Sequence, residues 1–348
     1  MIETLYPKSF ASDNHAGAHP SVVAAAVAAN EGDAPAYGDD RWTDVLAGQI
    51  RAEFGDAAAS LVVLNGTGAN MLSLSLLLGR RYEAVICPDT AHIATHETGA
   101  AERVLGVKLI TVPTPDGKLT PGDVTARLGG RGNISEVQPS VVSISQVTEL
   151  GTCYTPDEVA ALADAAHAHG MALHVDGARL ANAAAFLGCS LRELTTDAGV
   201  DVVSFGASKN GAMVGEAVVV LRRELAQAGP FLRRQTLQLA SKMRFVSAQI
   251  SALLTDGLWR RNADQANAMA RRLADGVAGL TGLAIRWPVE SNAVFASLPM
   301  AAVDELRARF AFHVWDENTG TVRWMTAFDT TPEDVDTFVA AIRQVLKS

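Results

Sequence analysis

The feature that most constrains the fold of this chain is an alternation. Short apolar runs rich in β-branched residues recur between Ala- and Leu-rich stretches with helical spacing. The runs that read as strands are Ser60–Leu64, Ala84–Cys87, Val107–Val112, Ser140–Ser145, Met171–Val175, Asp201–Phe205 and Ala217–Leu221. The stretches that read as helices include Pro20–Asn30, Arg41–Phe54, Ala69–Leu78 and Pro156–Ala168. The last opens on Thr155-Pro156-Asp157-Glu158, with threonine as cap and proline in the first turn. Strands that are apolar almost throughout and alternate with helices are covered on both faces, so the sheet is expected to be mainly parallel. In such sheets ligands bind beyond the carboxyl ends of the strands.

Around Ser247–Leu280 the pattern turns into one long helix, followed by shorter strands and a final helix. The expected architecture is therefore α/β, with a large domain over residues 1–246 and a smaller C-terminal α/β domain over 247–348. Residues 1–12 are candidates to join the small domain. A chain of 348 residues is long enough for this division.

Composition excludes several classes. The net charge is −9, and lysines and arginines are scattered rather than clustered, which argues against a nucleic-acid groove. Cys87, Cys153 and Cys189 are far apart and lack CxxC spacing, so neither a disulfide framework nor a thiolate zinc site is expected. The N-terminus lacks a cationic start followed by an apolar run, and the apolar stretches are too short to span a bilayer. A cytoplasmic protein without membrane partners is the expectation.

Five motifs carry chemistry. Asn65-Gly66-Thr67-Gly68-Ala69-Asn70 joins a strand to a helix, and free N–H groups at a helix start favour an anion such as a phosphate. The dinucleotide pattern fails because Met71 occupies the third glycine position. Alone, the motif reads equally well as an ordinary turn. In His174-Val175-Asp176-Gly177-Ala178-Arg179, Asp176 closes a strand, where it could partner a ring nitrogen or a metal, or merely cap the next helix. In Ser204–Gly211, Lys209 follows a buried strand among small residues, where desolvation would make it a usable amine nucleophile. A lone lysine of this kind is more often an exposed loop residue.

His92-Ile93-Ala94-Thr95-His96-Glu97 places two histidines four apart, but Ile93 stands where a zinc helix needs glutamate, so no metal is assigned. His92 reads better as a stacking or acid–base residue, and His96 has no role that spacing supplies. Arg323, alone in an apolar run, needs a partner: a substrate carboxylate or an internal acid would serve equally. His167 and His169 read as residues at an exposed helix end.

Taken together, these strings resemble the L-threonine aldolase family, low-specificity type, within the fold type I pyridoxal-phosphate enzymes. The resemblance rests on Ser12–Asn14 (SDN), Ala36–Asp40 (AYGDD), Asn65–Asn70 (NGTGAN) and Ala91–Ile93 (AHI). It rests further on His174–Arg179 (HVDGAR), Ser208–Asn210 (SKN) and Ser241–Arg244 (SKMR). It is strong from Ser12 to about Arg244 and thin beyond, except at Arg323.

What the resemblance implies is specific. The large domain would be aspartate-aminotransferase-like and the cofactor pyridoxal 5′-phosphate. Lys209 would hold the cofactor as a Schiff base, Asp176 would pair with the pyridine nitrogen, and His92 would stack on the ring and act as base. Gly66, Thr67 and Gly68 would hold the phosphate. Ser12, Arg179 and Arg323 would bind the substrate carboxylate. Tyr37 and Arg244 would reach the site from a neighbouring subunit, in a homodimer-based homotetramer. Glu149 stands where another branch has a histidine, and with His96 it would lie near the substrate's β-substituent; Glu149 is the second candidate for the base.

The implied reaction is retro-aldol cleavage of L-threonine, L-allo-threonine or a related β-hydroxy-α-amino acid, such as phenylserine, to glycine and an aldehyde. The rival readings are another fold type I enzyme (an aminotransferase or β-eliminating lyase), a nicotinamide- or nucleotide-binding α/β protein, and a catalytically silent regulator on the same scaffold.

Overall fold

A computed structural model describes residues 8–347. Its larger sheet has seven strands: β1 (Ala59–Val63), β2 (Glu83–Pro88), β3 (Lys108–Val112), β4 (Gln138–Ser145), β5 (Ala172–Gly177), β6 (Val202–Gly206) and β7 (Glu216–Val220). They are ordered β1-β7-β6-β5-β4-β2-β3. Strands β2 to β6 are mutually parallel, whereas β7 runs against both β1 and β6. Because β1 opposes β7 and β7 opposes β6, β1 points the same way as the parallel strands. Six carboxyl ends therefore share one edge of the sheet.

The strand centres match the apolar runs within a residue or two, since burial on both faces is what made those runs legible. The helix after β1 begins earlier than expected, at Gly66, because the Asn65 side chain accepts the Gly68 N–H and caps it there. The helix Pro156–His167 starts as its sequence implies, with a capping box between Thr155 and Glu158.

The expected continuous helix over Ser247–Leu280 is two helices, Arg244–Leu254 and Leu258–Val277. Between them, Asp256 and Gly257 adopt φ of 51° and 66°, left-handed values that break the hydrogen-bond ladder. Apolar periodicity runs through this break, so periodicity alone could not register it.

A second sheet of four antiparallel strands follows: β8 (Ala284–Ile285), β9 (Ala293–Ser297), β10 (His313–Asp316) and β11 (Thr321–Met325). Its core centres on the buried rings of Trp324 and Phe338, which meet edge to face. Phe10 stacks on Phe338 with ring centres 4.3 Å apart, and Met325 N–H donates to the Phe10 carbonyl. The N-terminal arm is thus stitched to the second sheet, as expected for its described part; residues 1–7 lie outside the described residues. Within the helix Leu258–Val277, Leu258, Trp259 and Ala263 pack in the first core, while Met269, Leu273 and Val277 pack in the second.

Candidate active site

A cavity opens where the shared strand edge faces the second sheet. Ser12, Gly66, His92, His96, Glu149, Asp176, Arg179, Lys209 and Arg323 all line it. Nine residues singled out in the sequence therefore converge on one space. Thr67 and Gly68 lie beside it, in the same turn as Gly66. Tyr37 and Arg244 do not line it.

Lys209 follows β6 in a short helical turn, Ser208–Asn210. The turn is held by Glu216 on β7, a buried carboxylate that accepts the Ala207 N–H. Burial pushes Glu216 up to about 6, against the pull of that hydrogen bond and of Lys209. Gly206 must be glycine, because a Cβ there would lie 2.3 Å from the Ala178 carbonyl oxygen. The close approach sets the end of β6 against the loop after β5. Lys209 has no salt bridge or hydrogen bond among the described residues. Burial and the neighbouring Arg179 lower its pKa, while Asp13, Asp176 and Glu216 oppose the shift.

Asp176, at the end of β5, accepts the Ala178 N–H at Oδ1 and the Asn70 amide at Oδ2, at 3.0 and 2.8 Å. Asn70 also donates to Glu97 Oε1 at 2.8 Å, and Glu97 Oε1 bonds His92 Nδ1 at 2.8 Å. A buried chain thus runs from Asp176 through Asn70 and Glu97 to His92. The Glu97 carboxylate fixes the proton on Nδ1 and leaves His92 Nε2 as the nitrogen with a lone pair. His92, Glu97 and Asp176 offer ligand atoms within 4.8 Å of one another, but the Asn70 amide and the His92–Glu97 bond already occupy that space.

Glu149 follows β4. Its Oε1 accepts the His92 backbone N–H at 2.8 Å and the Ser145 hydroxyl at 2.6 Å, whereas Oε2 is buried without a partner among the described residues. Burial raises its pKa; the Ser145 bond opposes this and Asp176 adds to it. His96 stacks on both His92 and Trp315, and its pKa is lowered by burial, then by His92 and Arg323.

The two arginines differ. Arg179 is clamped by Asp13 through Nε and Nη2, at 2.7 and 2.9 Å. Burial alone would raise Asp13, but Arg179 holds it down at about 2. Much of Arg179 is therefore spent on an internal acid, and what remains for a ligand carboxylate is Nη1 and the second hydrogen of Nη2. Arg323 on β11 has no carboxylate within ion-pair distance among the described residues, a long contact to the Ala11 carbonyl at 3.4 Å, and a buried Nε without a partner. Burial and the like charge of Arg179 lower it to about 10, against the opposing pull of Asp13. Of the two partners open to Arg323 from spacing, the internal acid is ruled out among the described residues.

Ser12 caps the short turn Asp13–His15, accepting the Asn14 N–H. Tyr37, at φ 62°, is held by a bond to the Ser241 carbonyl and lies under Arg234. Arg244 donates to the Gly32 carbonyl and stacks on Trp42. Asp13, Asn70, Glu97, His313 and Trp315 are site residues that sequence reasoning did not assign. Asp13, Asn70 and Glu97 sat inside strings already singled out, whereas His313 and Trp315 carried no signal in a stretch of thin resemblance.

This arrangement has the parts that pyridoxal phosphate requires. It offers an unpaired lysine, a carboxylate at a strand end, an imidazole held by an acid, and a helix start where the N–H groups of Gly66 and Thr67 have no acceptor among the described residues. The fold and site define a fold type I pyridoxal-phosphate enzyme.

Residues 9–301 match the family model described as beta-eliminating lyase. The chain is 43% identical to the low specificity L-threonine aldolase of Pseudomonas aeruginosa, over 99% of both chains. It is 42% identical to that of a Pseudomonas species, over 98% of this chain and 99% of the other. Among solved structures, Leishmania major threonine aldolase superposes with a TM-score of 0.92 at 32% identity, covering 98% of this chain and all of that one. The chain belongs to the L-threonine aldolase family of beta-eliminating lyases.

Proposed function

We propose that this enzyme cleaves L-threonine, L-allo-threonine or a related β-hydroxy-α-amino acid to glycine and an aldehyde. The observation that carries the reading is Arg323, a cation without a counter-ion among the described residues that faces the same cavity as Lys209 and Asp176. A guanidinium in that position suits an α-carboxylate, which it can take bidentately. Pyridoxal phosphate, when bound, supplies an electron sink for the bond broken at Cα.

The chain's residues divide the remaining work. Lys209 would hold the cofactor through its amine, which burial and Arg179 keep nucleophilic. Asp176, oriented by Asn70 and the Ala178 N–H, would pair with the cofactor's ring nitrogen. Arg323, with Ser12 and Nη1 of Arg179, orients the carboxylate. His92 takes the β-hydroxyl proton at Nε2, with Glu97 steadying the imidazolium that forms. Glu149, whose Oε2 is free and whose pKa is raised, is the second candidate for that proton. His96 and Trp315 flank the β-substituent.

Exposed apolar side chains support a homo-oligomer. Val27 and Val45 are exposed on the helices Pro20–Ala28 and Arg41–Phe54, which pack against the helix that Arg244 opens, and Phe231 and Leu237 are exposed on and just after the helix Gly229–Gln235. Burying them against a second copy would suit a dimer in which Tyr37 and Arg244, neither of which lines its own cavity, serve the partner's, within the homotetramer that the family resemblance implies. We divide the chain inside the helix Leu258–Val277 rather than at residue 246, a reading supported by the packing of Val246, Ile250, Leu253, Leu258 and Ala263 with the first core. Three free cysteines suit a reducing cytoplasm.

Incubation with L-threonine, L-allo-threonine and L-phenylserine, with assays for glycine and aldehyde, tests the reaction. Glycine and aldehyde in equal amounts are expected. Keto acid, or ammonia without glycine, would favour a different fold type I enzyme.

A further inference from the structure

The turn Asn65–Gly68 has a feature that its sequence does not advertise. The side-chain amide of Gln238, from the segment after the helix Gly229–Gln235, lies flat against Gly68. A Cβ built on Gly68 would be 2.2 Å from Gln238 Cδ, 2.3 Å from Oε1 and 2.5 Å from Nε2. Glycine at 68 therefore makes room for this amide. The Gly68 N–H is itself engaged by the Asn65 side chain at 2.8 Å, so it is not a free donor to a ligand.

The orientation of the amide is set. Gln238 Oε1 accepts the Leu64 backbone N–H at 3.0 Å, and only the oxygen can serve as acceptor there. The NH₂ end is consequently fixed as a donor, and it has no acceptor among the described residues. It is held against Gly68, in the same helix start whose Gly66 and Thr67 N–H groups and Thr67 hydroxyl have no partner among the described residues. Gly66 lines the same cavity as Lys209 and Asp176.

We propose that Gln238 is a ligand of the cofactor phosphate, donating from Nε2 alongside Gly66 and Thr67 and completing the anion site that Gly68 leaves open. The inference rests on the assignment of pyridoxal phosphate to this cavity. It gives Gly68 a part different from that of a phosphate donor: close approach of a side chain distant in sequence. It also explains how the helix start acquires a donor that fits between strand and helix, where a side chain at 68 would otherwise stand.

Two variants separate this role from a structural one. Gln238→Glu keeps an acceptor for the Leu64 N–H while replacing the donor by an anionic oxygen. Gln238→Leu removes both. Apoprotein of each is titrated with pyridoxal phosphate and, separately, with pyridoxal, which lacks the phosphate; binding is read from quenching of tryptophan fluorescence. Gln238→Leu should weaken pyridoxal phosphate by about 10- to 100-fold, and Gln238→Glu by at least as much, while pyridoxal affinity stays within about twofold. Pyridoxal phosphate affinity unchanged in both variants would overturn the proposal. So would an equal loss for the two ligands, which would reduce Gln238 to a brace for Leu64. A wild type that binds neither ligand would instead overturn the cofactor assignment, and the proposal with it.

Discussion

Replacing Asp13 by asparagine tests the electrostatic frame of the site. The Asp13 carboxylate is buried and forms two bonds to Arg179, at 2.7 and 2.9 Å, plus one from Asn292 at 3.0 Å. These hold it at about 2 rather than the ordinary 3.8. That depression alone is worth roughly 2 kcal/mol at neutral pH. Asp13→Asn also leaves the Arg179 cation buried without a counter-ion, and breaking a buried pair from one side costs about 3–5 kcal/mol. A loss of about 3 kcal/mol is the expectation.

With an unfolding entropy of roughly 2.1 cal/mol/K per residue over 348 residues, this lowers the melting temperature of the apoprotein by about 4 °C. The pH dependence has a definite sign. Asp13 has a depressed pKa when folded, so its stabilisation is full above about pH 4 and is lost as pH falls toward 2. The gap between wild type and Asp13→Asn should therefore narrow on acidification below about pH 4. Pairing the change with Arg179→Gln should restore much of the loss, because no buried charge then stands alone. A single variant that melts within 1 °C of wild type at neutral pH, or a double variant no better than the single, would refute the reasoning.

The remaining predictions concern the reaction. Arg323→Ala should raise the KM for the amino acid by about 10- to 100-fold while leaving cofactor affinity unchanged, measured by steady-state kinetics beside cofactor titration. Glu149→Gln should lower kcat by about 100-fold if its carboxylate moves the proton. Because burial raises Glu149, the ionised form that a base requires is lost at a higher pH than for an ordinary carboxylate. If Glu149 rather than His92 takes the proton, the wild-type pH–rate profile carries an acid limb that Glu149→Gln removes. A variant that keeps the wild-type limb leaves the proton to His92.

Much of this could be read from the chain because its strands are buried on both faces and its chemical residues follow them. The doubly covered strands made apolar runs stand out, and the shared direction of β1 with β2 to β6 brought the residues after them to one edge. Pairings distant in sequence could not be read. Asp13 meets Arg179 across 166 positions, and Gln238 meets Leu64 across 174, with no periodicity to announce either. Local strings hid roles for the same reason: Glu97 stood five positions after His92 in a string read only for its histidines, and its buried bonds to His92 and Asn70 came from the fold. In the second sheet, His313 and Trp315 occupy a short, half-exposed strand whose pattern says little about what it faces.

The central claim is that Lys209 carries the cofactor, and borohydride reduction of the enzyme followed by peptide mapping tests it most directly. The account predicts one phosphopyridoxyl label per chain, on the peptide containing Lys209, and none in Lys209→Ala. A label on another lysine, or no label in enzyme reconstituted with pyridoxal phosphate, would contradict it.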